Sequence, residues 1–419
     1  MSVPNPAAVA HAPAAAERRL LLLLAALQFT HLLDYMVLMP LGAEVMQAFG
    51  VSASQFGLLV GLYTLASASA ALLGGGLLDR GDRKRVLLLL YAGFVLATVA
   101  CALAPTFATL LAARAAAGAC AGLMTAAVMA IIADRVPPPR RGAAIGTVMS
   151  AFAVCAVIGV PTGLWLAAQG SWRTPFLAVA ALAALLWLIL LRQLPATPPD
   201  VQAPQSRYVD IVARPGLALG WLLTFGIVFS GFLIVPYLGA HLNGALGVAL
   251  ADLSWIYLAA GVATFFAVRV IGRAADRYGA VRVLALLMLL SIVPHLWLTH
   301  LQPGSLPLIT AVFVLFMVVT STRAIPALAW LIGRVPPPLR GRYLAVNMAS
   351  SDAASGLGAW TAGLLIGSGT GGALSDFGRV GWLAVGVTIA TLWLLWYLRS
   401  RDVAITAAEP SPRLNQGIG

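Results

Sequence analysis

Twelve long apolar stretches, separated by short polar or charged segments, make up most of this chain. Of its 419 residues 61% are hydrophobic and only 10% are charged, whereas a soluble domain carries about 25% charged residues. So few polar groups do not cover a water-exposed surface, and the excess apolar surface is expected to face lipid. Because roughly 20 apolar residues form a helix that crosses a bilayer, the sequence predicts an all-α membrane protein with twelve transmembrane helices.

We number these predicted helices spans 1 to 12 and end them at charge clusters and at Pro or Gly breaks. We expect no cleavable signal peptide, because Arg18 and Arg19 lead directly into an apolar run that is itself long enough to span the membrane. The spans cover residues 19–41, 55–78, 86–104, 108–133, 143–167, 175–191, 217–239, 253–275, 283–300, 307–331, 342–367 and 380–398.

The basic residues are concentrated on one side of the predicted membrane. The two tails and the loops after the even-numbered spans hold 21 of the 26 Lys and Arg residues, whereas the opposite loops hold only Arg173 and Arg379. Cytoplasmic loops are enriched in Lys and Arg, so both termini of this multi-pass protein are expected to be cytoplasmic, in a bacterial inner membrane. The net charge of +12 is divided among seven segments and forms no single groove, which argues against a nucleic-acid partner.

The sequence contains an internal duplication. Arg135–Gly142 reads RVPPPRRG and Arg334–Gly341 reads RVPPPLRG, an offset of 199 residues. Asp79–Leu87 and Asp276–Leu284 form a second pair at an offset of 197. A repeat unit of six spans keeps both copies in the same orientation, so the pattern predicts two parallel six-helix repeats related by an axis along the membrane normal.

A weaker third pair, Pro40 and Pro236, agrees with these offsets, and the Pro-rich stretch between the copies predicts a linker. The predicted domains are an N-terminal tail (1–18), an N-terminal bundle (19–194), a cytoplasmic linker (195–216), a C-terminal bundle (217–398) and a C-terminal tail (399–419).

Four charged residues lie well inside spans: Asp34, Arg114, Arg323 and Asp352. Each costs at least about 2.5 kcal/mol in hydrocarbon by insertion scales and is therefore a candidate functional residue. Asp34 and Arg114 each lie seven residues from the outer edge, roughly 10 Å deep at 1.5 Å per residue. Arg323 and Asp352 lie at similar depths nearer the cytoplasm. Depth thus predicts an outer charge pair and an inner one.

Asp34 with Arg114 is typical of a proton switch, and a static ion pair is the alternative. His31 lies three residues before Asp34 on the same helix face, so it could relay protons or simply hydrogen-bond to Asp34. We interpret Arg323 with Asp352 as a second site for coupling or substrate contact.

An aromatic stripe on span 7, formed by Trp221, Phe225 and Phe229, faces either an apolar substrate or lipid. Tyr35 and Asn347 are further candidates for the lining of a substrate cavity. The three cysteines lie inside apolar runs without metal-ligand spacing, so neither a metal site nor a cofactor is predicted.

Three motifs resemble the major facilitator superfamily over nearly the whole chain. Gly75–Leu87, GGLLDRGDRKRVL, is similar to its loop 2–3 signature, although Asp82 stands where the family usually has Gly. The Arg-x3-Gly-x3-Gly pattern of span 4 and Gly159–Gly163 (GVPTG) of span 5 are also similar, although Val160 stands where the family usually has Gly. The longer stretch Gly159–Phe176 (GVPTGLWLAAQGSWRTPF) resembles the arabinose-efflux-type branch of the drug:proton antiporters. The residues that match are Gly75, Leu77, Asp79, Arg80, Arg83 and Lys84; Arg114, Gly118 and Gly122; and Gly159, Pro161 and Gly163.

The resemblance implies that Asp79 caps the start of span 11 across the interface between the halves. By the repeat, Asp276 then caps the start of span 5, near Arg140 and Arg141. These contacts would close the cytoplasmic side; the alternative is that the loops are solvated topology signals. The predicted cytoplasmic gate consists of Gly75, Asp79, Arg80, Arg83, Lys84, Asp276 and Arg277.

The span 5 motif implies either a role against proton leak or simple small-residue packing, since Pro161 bends a helix and glycines let neighbouring helices approach. Spinster-type lipid transporters likewise carry an acidic residue in span 1 and Arg in span 4, which favours a coupling role for Asp34 and Arg114.

These features predict a secondary active transporter, most simply a proton-coupled exporter of a small organic molecule such as a drug, sugar or metabolite, working by alternating access. Proton-coupled uptake, or transport of a lipid-like substrate, is the alternative within transport, and a membrane sensor is the alternative outside it. No set of residues predicts an enzyme. The expected partners are the substrate, protons and lipid, and the protein is expected to be a monomer.

Overall fold

The computed structural model describes residues 14–74, 82–195, 215–336, 339–368 and 374–408. Six long helices form the N-terminal half, and a short helix, Gly42–Phe49, joins the first two. Spans 1 to 4 are Ala14–Leu38, Ala53–Leu73, Arg83–Leu103 and Phe107–Arg135, and span 6 is Arg173–Gln193. Span 5 follows a 3-10 turn at Pro138–Arg140 and consists of four consecutive pieces: Arg141–Met149, Ala151–Val154, the π-helical Cys155–Gly159 and Val160–Gln169.

The C-terminal half repeats this arrangement. Its spans 7 to 12 are Pro215–Phe232, Leu250–Tyr278, Ala280–Thr299, a composite of Leu306–Thr322 and Ala324–Ile332, Arg340–Leu365, and Phe377–Ala408. Span 7 continues through the short segments Val235–Tyr237, Leu238–Ala240 and the π-helical His241–Ala245. Two-residue strands, β1 (Gly367–Ser368) and β2 (Leu374–Ser375), pair antiparallel between spans 11 and 12.

The predicted all-α membrane fold with twelve helices is confirmed. Eleven helices of the described residues are long and apolar enough to cross a membrane. Span 11 is the twelfth, and it is less apolar because it is rich in Gly, Ala and Ser, which pack against other helices instead of facing lipid. The predicted end of span 2 (75–78) and nearly all of the predicted linker lie outside the described residues.

We call the end of the bundle that carries Arg83, Arg141 and Arg340 the basic end, and the opposite end the far end. At the far end one hydrophobic core joins both halves, and it includes Leu164 of span 5 and Tyr237 after span 7. Toward the basic end the core divides into two, one within each half. The halves are therefore packed together at the far end and packed separately near the basic end.

Spans 2 and 11 form much of the interface between the halves, and glycines make this possible. A Cβ added to Gly61 would lie 2.6 Å from the carbonyl oxygen of Gly356, so the two backbones touch directly. The hydroxyl of Tyr237 donates to the carbonyls of Ala53 (2.9 Å) and Ala359 (2.8 Å), which ties spans 2 and 11 at the far end.

Candidate functional site

Asp34 of span 1 and Arg114 of span 4 form an ion pair inside the N-terminal half. Nη1 of Arg114 lies 2.6 Å from Oδ2 of Asp34, and both side chains are 0% exposed. The same nitrogen donates to the backbone carbonyl of Asp34 at 3.2 Å. Because each charge is desolvated and neutralised by the other, loss of either one would leave a buried charge without a partner.

The pair is held in place by span 2. The guanidinium carbon of Arg114 lies 4.2 Å from the centroid of the Tyr63 ring, a cation–π contact. Span 2 comes this close because Gly118, one turn after Arg114, has no side chain to meet the carbonyl oxygen of Tyr63. Oδ1 of Asp34 and Nε and Nη2 of Arg114 have no hydrogen-bond partner among the described residues. The pair thus keeps free acceptor and donor positions.

His31 does not contact Asp34. Its Nε2 lies 2.9 Å from Oε1 of Gln28 and 3.5 Å from the hydroxyl of Thr125 on span 4. The expected hydrogen bond from His31 to Asp34 is therefore wrong in this structure. The two side chains share a helix face, but Asp34 is drawn to Arg114 whereas His31 lies one turn nearer the basic end.

The predicted inner pair is also wrong, because Arg323 and Asp352 do not meet. Arg323 points into the C-terminal half, where its Nη1 donates to the hydroxyls of Ser230 and Ser291, each at 3.3 Å. Asp352 points across the interface between the halves and accepts a 2.7 Å hydrogen bond from the hydroxyl of Ser67 on span 2. Equal depth in the membrane did not place the two side chains on facing sides of their helices.

Tyr35 lies at the junction of the two halves. Its ring stacks on Tyr63 of the same half at 5.1 Å between centroids and on Phe232 of the other half at 6.5 Å. Its hydroxyl is buried without a hydrogen-bond partner among the described residues. Ser67 and Tyr63 were missed by the sequence analysis, because a Ser or Tyr within an apolar run carries no signal that distinguishes it from packing.

In the aromatic stripe of span 7, Trp221 is buried, whereas Phe225 and Phe229 are half-buried. Phe225 and Phe229 stack at 5.5 Å, and Trp221 stacks on Tyr343 of span 11 at 5.6 Å. Leu222, which lies on nearly the same helix face as Phe229, is 53% exposed.

Asn347 on span 11 lies on the same side of the C-terminal half as this stripe. Its Oδ1 accepts a 2.8 Å hydrogen bond from the Thr224 hydroxyl of span 7. Trp221 and Asn347 therefore lie where spans 7 and 11 adjoin each other, whereas Tyr35 lies on span 1.

Comparison with known families decides the class of protein. The Major Facilitator Superfamily model matches this chain twice, over residues 24–230 and 220–416. The chain belongs to the major facilitator superfamily. The two matches correspond to the duplication, and family and fold together indicate a multi-pass membrane transporter and not an enzyme.

Several relatives of this major facilitator protein are bacterial. It is 27% identical to the Uncharacterized MFS-type transporter YceJ of Bacillus subtilis, covering 79% of this chain and 85% of YceJ. It is 24% identical to the Inner membrane transport protein YdhP of Escherichia coli, again covering 79% and 85%. It is 25% identical to the Purine ribonucleoside efflux pump NepI of Escherichia coli, over 52% of this chain and 55% of NepI.

Solved major facilitator structures share the fold. A bacterial homologue of the human lysosomal transporter Spinster, inward-facing and unoccupied, superposes with a TM-score of 0.72 at 18% identity, covering 96% of this chain and all of that one (100%). The nucleoside transporter NupG superposes with a TM-score of 0.70 at 17% identity, covering 90% and 98%.

The predicted gate of this major facilitator protein is only partly visible. Gly75, Asp79 and Arg80 lie outside the described residues. Arg83 contacts Asp134 of its own half, with Nη1 2.5 Å from Oδ2. Asp82, at the position where the family usually has Gly, caps span 3 by accepting from the backbone N–H of Lys84 at 3.0 Å. The visible part of this loop is therefore anchored to the N-terminal half.

The second predicted gate contact is not made in this structure. Asp276 is exposed, as is Arg277 beside it, and no ion pair joins Asp276 to span 5 within the described ranges. Arg140 instead pairs with Glu17 of span 1, 2.9 Å away. This agrees with the separate packing of the two halves near the basic end.

The span 5 motif lies where the two halves meet at the far end. A π-helical turn, Cys155–Gly159, directly precedes Pro161, whose ring removes one backbone N–H from the helix. A Cβ on Gly159 would lie 3.1 Å from Leu33 of span 1. The backbone of span 5 beside this turn also touches Gly261 of span 8. The motif residues therefore pack closely against spans 1 and 8.

Proposed function

We propose that the protein is a proton-coupled secondary transporter that exports a small organic molecule by alternating access. The observation that carries this proposal is the fully buried ion pair between Asp34 and Arg114 on two different helices. Protonation of Asp34 removes the charge that holds Arg114. Movement of span 1 relative to span 4 would then no longer separate two unpaired charges in a low-dielectric interior, so proton binding and helix movement are linked.

The packing of the halves supports alternating access. One core joins them at the far end, and separate cores fill them near the basic end. The positive-inside rule places the basic end in the cytoplasm, so this arrangement corresponds to an inward-open state with both termini cytoplasmic. In the opposite state the contacts between spans 2 and 11, and between spans 5 and 8, would open at the far end.

Three observations favour export and a small organic substrate. The span 5 motif resembles that of drug:proton antiporters, and NepI is by name an efflux pump for purine ribonucleosides. The half-buried rings of Phe225 and Phe229 on span 7 suit a small organic molecule with a flat apolar part. We therefore favour export, with uptake and sensing as outcomes that the test can identify.

The test is flux into proteoliposomes that hold the purified full chain under an imposed pH gradient. The probes are radiolabelled inosine, D-xylose and benzoate. We expect at least one probe to move against the direction of the proton gradient. Asp34→Asn should lose this gradient-driven flux but retain exchange of labelled for unlabelled probe, because the protein still changes state without carrying a proton.

The matched control is Asp252→Asn, an acid in the first turn of span 8 at the far end, which should behave as wild type. Flux in the same direction as protons would indicate uptake. Binding without any flux would indicate a sensor. Gradient-driven flux in Asp34→Asn equal to that of wild type would overturn the coupling role.

A further inference from the structure

Arg323 is a buried cation whose described partners are all neutral. It is 0% exposed and lies where span 10 breaks between Thr322 and Ala324. Its Nη1 contacts the hydroxyls of Ser230 and Ser291 at 3.3 Å each. Its other nitrogens reach only the carbonyls of Ile227 and Thr320, each at 3.4 Å. These contacts are long for hydrogen bonds and leave the charge without a counterion.

The N-terminal half supplies a counterion to its buried arginine, and the C-terminal half does not. The pairing of Pro40 with Pro236 is an offset of 196 residues, and the same offset pairs Asp34 with Ser230. Arg114 and Arg323 lie at different positions of spans 4 and 10, but each reaches the same position of span 1 or span 7. Arg114 meets a carboxylate at that position, whereas Arg323 meets a hydroxyl.

No acidic side chain forms an ion pair with Arg323 in the part of the chain that the structure describes. The neighbouring titratable side chain is His295 of span 9, close enough to interact with the charge of Arg323. Its Nδ1 contacts the backbone carbonyl of Ser291, and its Nε2 is buried with no hydrogen-bond partner among the described residues. The surroundings thus offer a cation, hydroxyls and an unused ring nitrogen.

The helices around Arg323 are discontinuous, as helices at substrate sites of transporters often are. Span 7 breaks after Phe232, and Phe232 stacks on Tyr35 of the other half, so this stretch adjoins the space between the halves. Gly231 precedes it, and a Cβ on Gly231 would lie 3.4 Å from Nη2 of Arg323. A side chain at position 231 would therefore contact the guanidinium of Arg323.

We propose that Arg323, together with the hydroxyls of Ser230 and Ser291, binds the carboxylate of the substrate, and that the transported molecule is a small organic anion. The proposal rests on the proposed transport function and names its substrate class. A planar guanidinium presents parallel N–H donors that match the two oxygens of a carboxylate. In this structure the Ser230 and Ser291 hydroxyls donate to the carbonyls of Ile227 and Met288, and each would rotate its single O–H to donate to the bound carboxylate, which adds a contact without adding charge. In this description the substrate supplies the counterion that Asp34 supplies in the other half.

The test compares carboxylates with their neutral amides on the purified full chain in nanodiscs. The probe pairs are benzoate with benzamide, nicotinate with nicotinamide, and acetate with acetamide, and the readout is saturable thermal stabilisation. We expect at least one carboxylate to stabilise the wild-type protein with an affinity about tenfold or more above that of its amide, a difference that corresponds to one buried charge contact.

The decisive variants change the position that differs between the halves. Ser230→Asp places a carboxylate opposite Arg323, as Asp34 stands opposite Arg114, and should abolish carboxylate binding while keeping the charge of Arg323 compensated. Ser230→Asn has the same size without the charge and should bind the carboxylate at least about tenfold more tightly than Ser230→Asp. Gln302→Glu adds a carboxylate in an exposed loop and should bind as wild type does.

Equal stabilisation of wild type by all three carboxylates and their amides would overturn the proposal, even if Ser230→Asp does not fold. So would unchanged binding in Ser230→Asp, or stabilisation by chloride alone. The assay needs no gradient, so it separates the two proposals. Carboxylate binding without gradient-driven flux contradicts the transport function, whereas gradient-driven flux of neutral probes only contradicts the organic-anion assignment.

Discussion

Each half of this protein buries an arginine, but the two arginines have different kinds of partner. Arg114 in the N-terminal half is neutralised within the half by Asp34 at 2.6 Å. Arg323 in the C-terminal half reaches the equivalent position of span 7 and meets Ser230 at 3.3 Å. Duplication kept the helical framework, and each copy carries a buried arginine at a different position of its fourth helix, but only one copy carries its own counterion. From this comparison we infer that the N-terminal half binds the proton and the C-terminal half binds the substrate.

The comparison is most directly tested by removing each arginine in turn. Arg114→Gln leaves Asp34 as a buried charge without a partner and should destabilise the protein by about 3–5 kcal/mol. Arg323→Gln leaves no acid behind, and Ser230 and Ser291 already donate to the carbonyls of Ile227 and Met288. Its cost should be about 1 kcal/mol or less. Thermal unfolding in detergent micelles, followed by tryptophan fluorescence, measures both.

Equal destabilisation by Arg114→Gln and Arg323→Gln would show that Arg323 has a structural role as strong as that of Arg114. The two halves would then differ in the partners of their arginines but not in how much each arginine stabilises the fold.

The next largest change in stability is expected from the packing around the two arginines. Span 2 approaches Arg114 because Gly118, one turn later, lies against the carbonyl of Tyr63, whereas the residue one turn after Arg323 is Ala327. Gly118→Ala should cost about 1–3 kcal/mol, since backbone has to move to accept the methyl group. Gly146→Ala is the control, because a Cβ there meets nothing within 4 Å. It should be neutral or stabilise by about 0.4–1 kcal/mol. The same unfolding assay distinguishes the two, and equal melting temperatures would contradict the close approach.

The smallest expected effect concerns the loops after spans 2 and 8. The first loop adds Arg83 and Lys84, where the second has Ala280 and Val281. A helix-terminus contact is worth about 0.3–1 kcal/mol when exposed and up to about 2 when partly buried. Asp79→Asn should therefore shift the population toward the inward-open state several-fold, and Asp276→Asn should shift it less.

Paired spin labels on the basic ends of spans 2 and 11 report this population as a distance distribution. A larger shift from Asp276→Asn than from Asp79→Asn, or no shift from Asp79→Asn, would contradict the asymmetry between the two loops.

Much of the fold could be predicted from the sequence, because hydropathy is a property of each segment by itself. The predicted boundary of span 4, 108–133, lies within the helix Phe107–Arg135, and that of span 9, 283–300, differs from Ala280–Thr299 by three residues or fewer. The depth argument likewise predicted that Asp34 and Arg114 lie at one level. These agreements arise because rise per residue along a helix is nearly constant.

The partners of the other buried groups were decided only by tertiary structure. Depth is a coordinate along the membrane normal, and it says nothing about the direction in which a side chain leaves its helix. Arg323 points into its own half because spans 7 and 9 offer hydroxyls there. Asp352 points to the other half because glycines let spans 2 and 11 touch and bring Ser67 within 2.7 Å. Rotation of each helix about its axis is set by the packing of all its neighbours at once, and that is the information a single segment of sequence does not contain.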